Sequence, residues 1–177
     1  ISKSRYSLMI TQYLFDDREL GTALGQALRR SPDPVSLRMI FDLNQFKTGS
    51  CSRQPAAVVN LMEWGAQVRV YKPSVAVGFP STHEKSMVAD EAIYALGSAN
   101  MADNSLNNNV ESCMVTRAAQ TVRKAAIRFE KLWLLARPWQ AEEAARAVQQ
   151  RENRRPGAAA RSKSAEREEA ARQSSID

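Results

Sequence analysis

Hydrophobic and polar positions in residues 1–72 predict three strands separated by two helices. Mostly apolar runs occupy residues 7–15, 35–41 and 67–72. Between these runs, apolar residues recur every three or four positions, which is the spacing of an amphipathic helix. The predicted order is therefore β-α-β-α-β. Such an order forms a largely parallel sheet, because parallel neighbours need a crossover connection.

Local signals indicate where the two helices begin and end. Asp16 and Glu19 form a capping-box pattern, which predicts that the first helix opens at Asp16. The second helix is predicted from about Arg53 to Trp64, with Gly65 as its stop. The buried face of the first helix is predicted to consist of Leu20, Leu24, Ala27 and Leu28.

The pattern changes after a loop at residues 73–80. Apolar residues then alternate with polar ones, which predicts strands at about 82–89, 93–99 and 109–116. An amphipathic helix is predicted at 117–135, and its apolar face consists of Val122, Ala126, Phe129 and Trp133. The fold class is therefore predicted to be α/β, with a mixed sheet flanked by helices.

The composition changes at Pro138. Residues 138–177 are mainly Ala, Arg, Glu, Gln and Ser, with Trp139, Val148 and Ile176 as the only large apolar residues. Such a segment buries too little surface to offset its ordering entropy. We therefore predict a compact domain at 1–137 and a tail at 138–177 that is partly helical or disordered.

The uncharged stretches are shorter and more polar than the roughly 18 to 20 apolar residues that a transmembrane helix needs, so we expect no transmembrane segment. Because the first residue is Ile1 rather than Met, we expect that an upstream targeting segment is missing. The sequence leaves the localisation open, and a cytoplasmic or organelle-associated protein is the expectation.

Charge and cysteine content restrict the chemistry only in part. The net charge of +6 is compatible with phosphate-bearing partners. Two cysteines are too few for a disulfide framework or a Cys/His zinc site, so we expect no structural metal.

The candidate chemistry lies between Thr82 and Ser112. Three pairs of polar residues are two positions apart, namely His83 and Lys85, Ser98 and Asn100, and Asn109 and Glu111. Side chains two apart on a strand point to the same face, so three strands are expected to direct these groups to one patch. An imidazole, an ammonium, a hydroxyl, amides and a carboxylate suit attack on a phosphate diester, whose oxygens need hydrogen-bond donors.

The spacing of these residues resembles the HKD signature of the phospholipase D superfamily. The resemblance runs through His83, Lys85, Asp90, Gly97, Ser98 and Asn100, and continues with Asn109 and Glu111. The order of elements from about Tyr6 to Leu135 is also similar to one half of that fold. The resemblance implies a phospholipase D-like sheet with one HKD half per chain, as in single-motif bacterial endonucleases and mitochondrial cardiolipin hydrolases.

The resemblance also implies a two-step displacement at phosphorus. His83 would form a covalent phosphohistidine, while a second histidine protonates the leaving oxygen and later activates water. Lys85 and Asn100 would hold non-bridging oxygens, Glu111 would orient an imidazole, and Ser98 would assist. The resemblance gives Asp90, Gly97 and Asn109 fold-supporting roles. The absence of any metal or organic cofactor is a separate expectation, which follows from this resemblance.

The mechanism needs two histidines, and the chain contains one. Either two copies form a homodimer with the active site at the two-fold interface, or a second half has been lost. The expected function is hydrolysis of a phosphodiester, in nucleic acid or in a phospholipid such as cardiolipin. The alternatives are a phosphatidyltransferase of the cardiolipin synthase type and a non-catalytic phosphate-binding domain.

Overall fold

A mixed β-sheet organises the part of the chain that the structure describes. In this computed structural model, the described residues are 4–15, 17–30, 32–42, 54–71, 82–140, 142, 143, 145, 146 and 149. They form seven strands, β1 (Ser7–Gln12), β2 (Ser36–Asp42), β3 (Gln67–Tyr71), β4 (Ser86–Ala89), β5 (Ile93–Gly97), β6 (Cys113–Thr116) and β7 (Arg137–Pro138). Their order in the sheet is β6-β5-β4-β1-β2-β3-β7.

Both predicted kinds of strand pairing are present. Strands β1, β2 and β3 are parallel to one another, whereas β4, β5, β6 and β7 each join the sheet in antiparallel pairs. Four helices accompany them within the described residues, α1 (Arg18–Leu28), α2 (Gln54–Glu63), α3 (Asp103–Asn107) and α4 (Ala119–Leu135). The predicted fold class, an α/β mixed sheet flanked by helices, is confirmed.

The sheet has a hydrophobic core on each face. On one face, Leu8 and Ile10 of β1 pack with Leu24 of α1 and Val58 of α2. The core on the other face lies beneath α4 and consists of Met9, Ile40, Val88, Tyr94, Val122, Ala126, Phe129, Trp133 and Ala136. The alternation along β1 follows from the period of two in a strand. All four α4 residues that the sequence predicted to be buried lie in this second core.

Several predicted boundaries are wrong. Strand β4 begins at Ser86 rather than at residue 82, and β5 ends at Gly97 rather than at residue 99. The N-cap of α1 is Asp17, whose carboxylate accepts the N–H of Leu20 at 2.7 Å, so the helix opens one residue later than predicted. Strand β1 ends at Gln12 rather than at Phe15. Strand β6 begins at Cys113 rather than at residue 109.

These shorter strands place several polar segments at one edge of the sheet. The register pairs Thr11 of β1 with Ser86, the first residue of β4, and Ser86 in turn with Leu96 of β5. Gly97 pairs with Cys113, the first residue of β6. The carboxyl ends of β1, β2, β3 and β5 therefore meet the amino ends of β4 and β6.

The sheet continues slightly beyond the compositional boundary that we predicted after residue 137. Pro138 pairs with Arg69 of β3, and Trp139 is buried in the same core as Leu8. Residues 142, 143, 145, 146 and 149 have helical backbone, and the rest of the predicted tail lies outside the described residues. Within the described part of the chain, no helix combines the length and the apolar character that crossing a membrane requires.

Candidate active site

His83 and Lys85 lie side by side at the edge of the sheet where β4 begins. The Lys85 Nζ atom is 3.1 Å from Nδ1 and 3.3 Å from Nε2 of His83, and it donates to the His83 carbonyl oxygen at 3.0 Å. Lys85 is buried, whereas His83 is exposed. The buried ammonium therefore contacts the imidazole, while the ring itself stays accessible to solvent.

An aromatic ring contacts both residues. Tyr13 follows β1, and its ring centroid lies 4.7 Å from that of His83 in an edge-on arrangement. The Lys85 Nζ atom lies 5.4 Å from the centroid of the same ring. Such a position allows a cation–π interaction, so Tyr13 helps to hold both the imidazole and the ammonium.

The backbone around His83 is fixed by hydrogen bonds to neighbouring strands. Thr82 donates its N–H to the Asp42 carboxylate at 2.6 Å, and Asp42 is the last residue of β2. On the other side, the N–H of Gly97 donates to the Lys85 carbonyl oxygen at 3.0 Å. The segment that carries the imidazole is therefore attached to the sheet through both β2 and β5.

Ser98 and Glu111 form the second part of the site. The Ser98 hydroxyl donates to the Glu111 carboxylate and accepts the N–H of Ser112 at 3.0 Å. Asn109 donates its side-chain amide to the other Glu111 oxygen at 3.5 Å. These contacts join the end of β5 to the segment that precedes β6.

The two parts of the site interact electrostatically. Burial lowers the pKa of the Lys85 ammonium below its ordinary value, and the negative charge of Glu111 opposes this by raising it. The site thus combines a desolvated cation with a carboxylate of opposite charge. A desolvated ammonium beside an exposed imidazole is suited to bind an anion, because less water screens its charge.

Asn100 lies beyond the end of β5 and is half-buried. Its Oδ1 atom is buried and has no hydrogen-bond partner among the described residues. The predicted role for Asn100 is to donate its amide N–H groups to phosphate oxygens, and this role stays a prediction.

Asp90 and Gly97 have clear structural positions. The Asp90 carboxylate accepts hydrogen bonds of 2.8 to 2.9 Å from the Ser4 hydroxyl and from the backbone N–H groups of Arg5, Tyr6 and Ser7. A Cβ atom on Gly97 would lie 2.9 Å from the Ser112 carbonyl oxygen, so β5 and β6 approach too closely for a side chain there. Asp90 attaches the β4–β5 turn to the chain before β1.

The structure brings the predicted pairs to one edge, but not by the predicted geometry. His83 and Lys85 precede β4, Ser98 and Asn100 follow β5, and Asn109 and Glu111 precede β6. The expectation that each pair lies on a strand is therefore wrong. The polar groups lie at strand ends because their side chains bond the backbone and one another instead of alternating across a sheet. Among the described residues, the Glu111 carboxylate bonds Ser98 and Asn109, and it has no hydrogen bond or ion pair with His83 of the same chain.

The sequence did not identify Tyr13 or Asp42 as parts of the site. Tyr13 follows β1, and Asp42 is the last residue of β2. Ligands commonly bind at the carboxyl ends of parallel strands, so the position of these two residues in the sequence could have indicated them. Among the described residues, no group of three or more His, Cys, Asp or Glu side chains is arranged to hold a metal ion.

Comparison with known proteins gives one family and several structures. The family model described as "Cardiolipin synthase, PLD-like domain" matches residues 1–133. No curated protein matches the sequence.

The solved structures support the fold. NucT from Helicobacter pylori is similar with a TM-score of 0.65 and 22% identity, over 78% of this chain and 85% of that chain. Nuc from Salmonella typhimurium, a phospholipase D family member, is similar with a TM-score of 0.67 and 20% identity, over 79% of this chain and 86% of that chain. The phosphatidylserine synthase of Haemophilus influenzae is similar with a TM-score of 0.58 and 13% identity. The match covers 77% of this chain but 34% of the synthase.

Proposed function

The chain belongs to the phospholipase D-like family, and from this membership we propose that it is a phosphodiesterase that acts through a covalent phosphohistidine on His83. The observation that carries the proposal is the contact between the buried Lys85 ammonium and the exposed His83 ring at 3.1 Å. A phosphodiester is an anion with a tetrahedral centre. Cleavage of such a group needs a nucleophile and a cation close together, and His83 and Lys85 would supply them.

The reaction proceeds in two displacements. A ring nitrogen of His83 attacks phosphorus, the bond from phosphorus to the leaving oxygen breaks, and a second imidazole protonates that oxygen. The second imidazole then takes a proton from water, whose oxygen attacks phosphorus and breaks the bond to His83. Lys85 and the Asn100 amide donate to the non-bridging oxygens as negative charge accumulates on them.

The second imidazole comes from the partner subunit's His83 in a homodimer. Three observations support this arrangement. The chain has one histidine. The Glu111 carboxylate bonds Ser98 and Asn109 and has no hydrogen bond to the imidazole of its own chain, which leaves it available to orient one from another copy. Apolar side chains beside the site are exposed, including Leu96 (37%), Met114 (51%) and Val110 (104%), and a dimer interface would cover them.

Turnover of a simple aryl phosphodiester tests the proposal. We expect the purified chain to hydrolyse bis(4-nitrophenyl) phosphate, and His83→Ala to reduce the rate by at least about 10³-fold. Acid quench during turnover should trap phosphorus on the His83 side chain. Equal rates for the wild type and His83→Ala, at equal thermal stability, would exclude His83 as the nucleophile.

The physiological substrate is either a nucleic acid or a phospholipid. The net charge of +6 favours a nucleic acid, because phosphate backbones attract basic proteins. Incubation with single-stranded DNA, RNA and cardiolipin vesicles at one salt concentration separates the two classes. We expect the nucleic acids to be cleaved faster, and exclusive release of phosphatidic acid from the vesicles would reverse this assignment.

Phosphatidyl transfer is the second candidate function. It is favoured by the family model, whose description is a cardiolipin synthase. In that reaction an alcohol replaces water in the second displacement. Mass spectrometry of the products formed from phosphatidylglycerol distinguishes the two reactions, because transfer yields cardiolipin whereas hydrolysis yields phosphatidic acid.

A further inference from the structure

The reaction proposed above gives no role to the Asp42 carboxylate. Asp42 ends β2, the strand between β1 and β3, and none of its side chain is exposed. A buried carboxylate is unfavourable unless hydrogen bonds compensate for its lost hydration. One such bond is the 2.6 Å contact from the N–H of Thr82 to Oδ2. The residue after Thr82 is His83.

The segment from Thr82 to Lys85 depends on hydrogen bonds of this kind. Strand β4 begins only at Ser86, so these residues lie outside the sheet ladder. On the carboxyl side of His83, the Lys85 carbonyl accepts the N–H of Gly97, and the Lys85 ammonium donates to the His83 carbonyl. On the amino side of His83, the Thr82 N–H attaches the segment to the sheet by its hydrogen bond to Asp42.

We propose that Asp42 is a positioning residue for His83, an inference that rests on the proposed phosphohistidine chemistry. The carboxylate fixes the Thr82 backbone to a central, buried strand and so sets where the His83 backbone begins. A charged acceptor suits this role, since hydrogen bonds to carboxylates are shorter and stronger than bonds between neutral groups. Because the Asp42 side chain is fully buried, we expect it to make no contact with the substrate.

Asp17 provides a matched control for substitutions at Asp42. It is also buried, and its carboxylate also accepts a backbone N–H, from Leu20 at 2.7 Å. That bond caps α1 and does not hold the segment that carries His83. Asp17→Ala therefore removes a similar bond and a similar buried charge without releasing the imidazole.

Steady-state kinetics of the full chain with bis(4-nitrophenyl) phosphate measure the effect. For Asp42→Ala we expect kcat per folded molecule to fall by about 100-fold with little change in KM, because small displacements of reacting groups have effects of this size. For Asp42→Asn, whose Oδ1 can still accept the Thr82 N–H, we expect a loss within about tenfold. Asp17→Ala should keep kcat within about twofold. Equal losses for Asp42→Ala and Asp17→Ala would overturn the proposal.

Asp42→Glu keeps the test decisive if Asp42→Ala does not fold. It retains the charge but moves the carboxylate by one methylene, so the acceptor no longer matches the position of the Thr82 N–H. We expect kcat to fall by about tenfold or more in Asp42→Glu and less in Asp42→Asn. Wild-type kcat in Asp42→Glu would overturn the proposal.

The single histidine permits a readout that does not depend on activity. In protein labelled with ¹⁵N at histidine, we expect one sharp pair of imidazole signals in the wild type and in Asp17→Ala. In Asp42→Ala these signals should broaden or split, and in uniformly ¹⁵N-labelled protein the Thr82 amide should exchange faster. If the imidazole signals change in Asp42→Ala but not in Asp17→Ala, and the wild type turns over no phosphodiester, the proposed function fails while the positioning role stands. Unchanged imidazole signals in Asp42→Ala would refute the positioning role.

Discussion

The Lys85 ammonium lies within hydrogen-bonding distance of both ring nitrogens of His83, at 3.1 and 3.3 Å. An ammonium has three donors and no acceptor, so it donates only to the ring nitrogen that carries no hydrogen, and the tautomer of the ring decides which nitrogen that is. The contact thereby places a positive charge beside the imidazole that we propose as the nucleophile. The same cation is available to the non-bridging oxygens of the substrate.

We predict that kcat falls at alkaline pH because Lys85 loses its proton. Burial lowers the pKa of this ammonium, so deprotonation begins below the pH at which an ordinary lysine titrates. Activity needs the charged form and should therefore be lost as the pH rises through this lowered pKa. The kcat of the wild type measured between pH 6 and about 10.5 should show this descending limb.

Lys85→Arg is the control for that assignment. The guanidinium stays charged throughout the range, so the descending limb should disappear even if the rate at neutral pH is reduced by about tenfold or more. An unchanged limb in Lys85→Arg would assign the ionisation to another group.

We predict that Asp90→Asn destabilises the fold in a pH-dependent way. Burial raises the pKa of the Asp90 carboxyl, but the N–H groups of Ser7, Arg5 and Tyr6 and the Ser4 hydroxyl lower it to about 2 overall. Because the folded pKa lies below the unfolded one, the stabilisation is complete above about pH 4 and is lost as the pH falls towards 2.

Urea unfolding measures this effect. At pH 7, after allowance for the partial exposure of the carboxyl, we expect Asp90→Asn to lower the free energy of unfolding by about 1 to 2 kcal/mol. The difference from the wild type should shrink between pH 4 and pH 2. A difference that is constant over that range would show that the charge of Asp90 is not what stabilises the turn.

Most of the order of the elements, and the polar residues that meet at one edge of the sheet, were predictable from the sequence, whereas α3 and β7 were not predicted. The period of two in β1 separates Leu8 from Met9, and the period of α4 identifies Val122 and Trp133, because burial itself creates these patterns. The motif is compact in sequence, so His83 and its neighbours could be recognised without any knowledge of the fold.

Contacts between distant parts of the chain could not be predicted in this way. The bond between Asp42 and Thr82 joins residues that lie 40 positions apart, and no local pattern encodes it. The sequence at 109–111 has the alternating pattern of a strand, because two polar residues flank Val110. In the structure Val110 is fully exposed, and the polar side chains bond one another across the loop.

We predict that Gly97→Ala separates β5 from β6 and disturbs the site. Its Cβ would lie 2.9 Å from the Ser112 carbonyl oxygen, which belongs to backbone and cannot move away without breaking the bond from Ser98. We expect a loss of about 1 to 3 kcal/mol in the free energy of unfolding and at least about tenfold in kcat.

Gly21→Ala is the matched control for that substitution. Gly21 lies within α1, and a Cβ there meets no atom within 4 Å. Because alanine favours the helix, this variant should gain up to about 1 kcal/mol at unchanged kcat. A Gly97→Ala variant as stable and as active as Gly21→Ala would mean that the close approach of β5 to β6 is not needed.

Mixing subunits tests whether one site uses two copies of His83. We predict that wild type and His83→Ala, refolded together in equal amounts, retain about a quarter of the wild-type activity, because a site with both imidazoles forms only when two wild-type subunits meet. A monomeric enzyme, or a dimer whose sites act independently, would retain about half. The measurement is the rate at fixed total protein over a series of mixing ratios, with random pairing verified by a size tag on one variant. A linear dependence on the wild-type fraction would refute the shared site, whereas a quadratic dependence requires that each reacting phosphate is held between imidazoles from two chains.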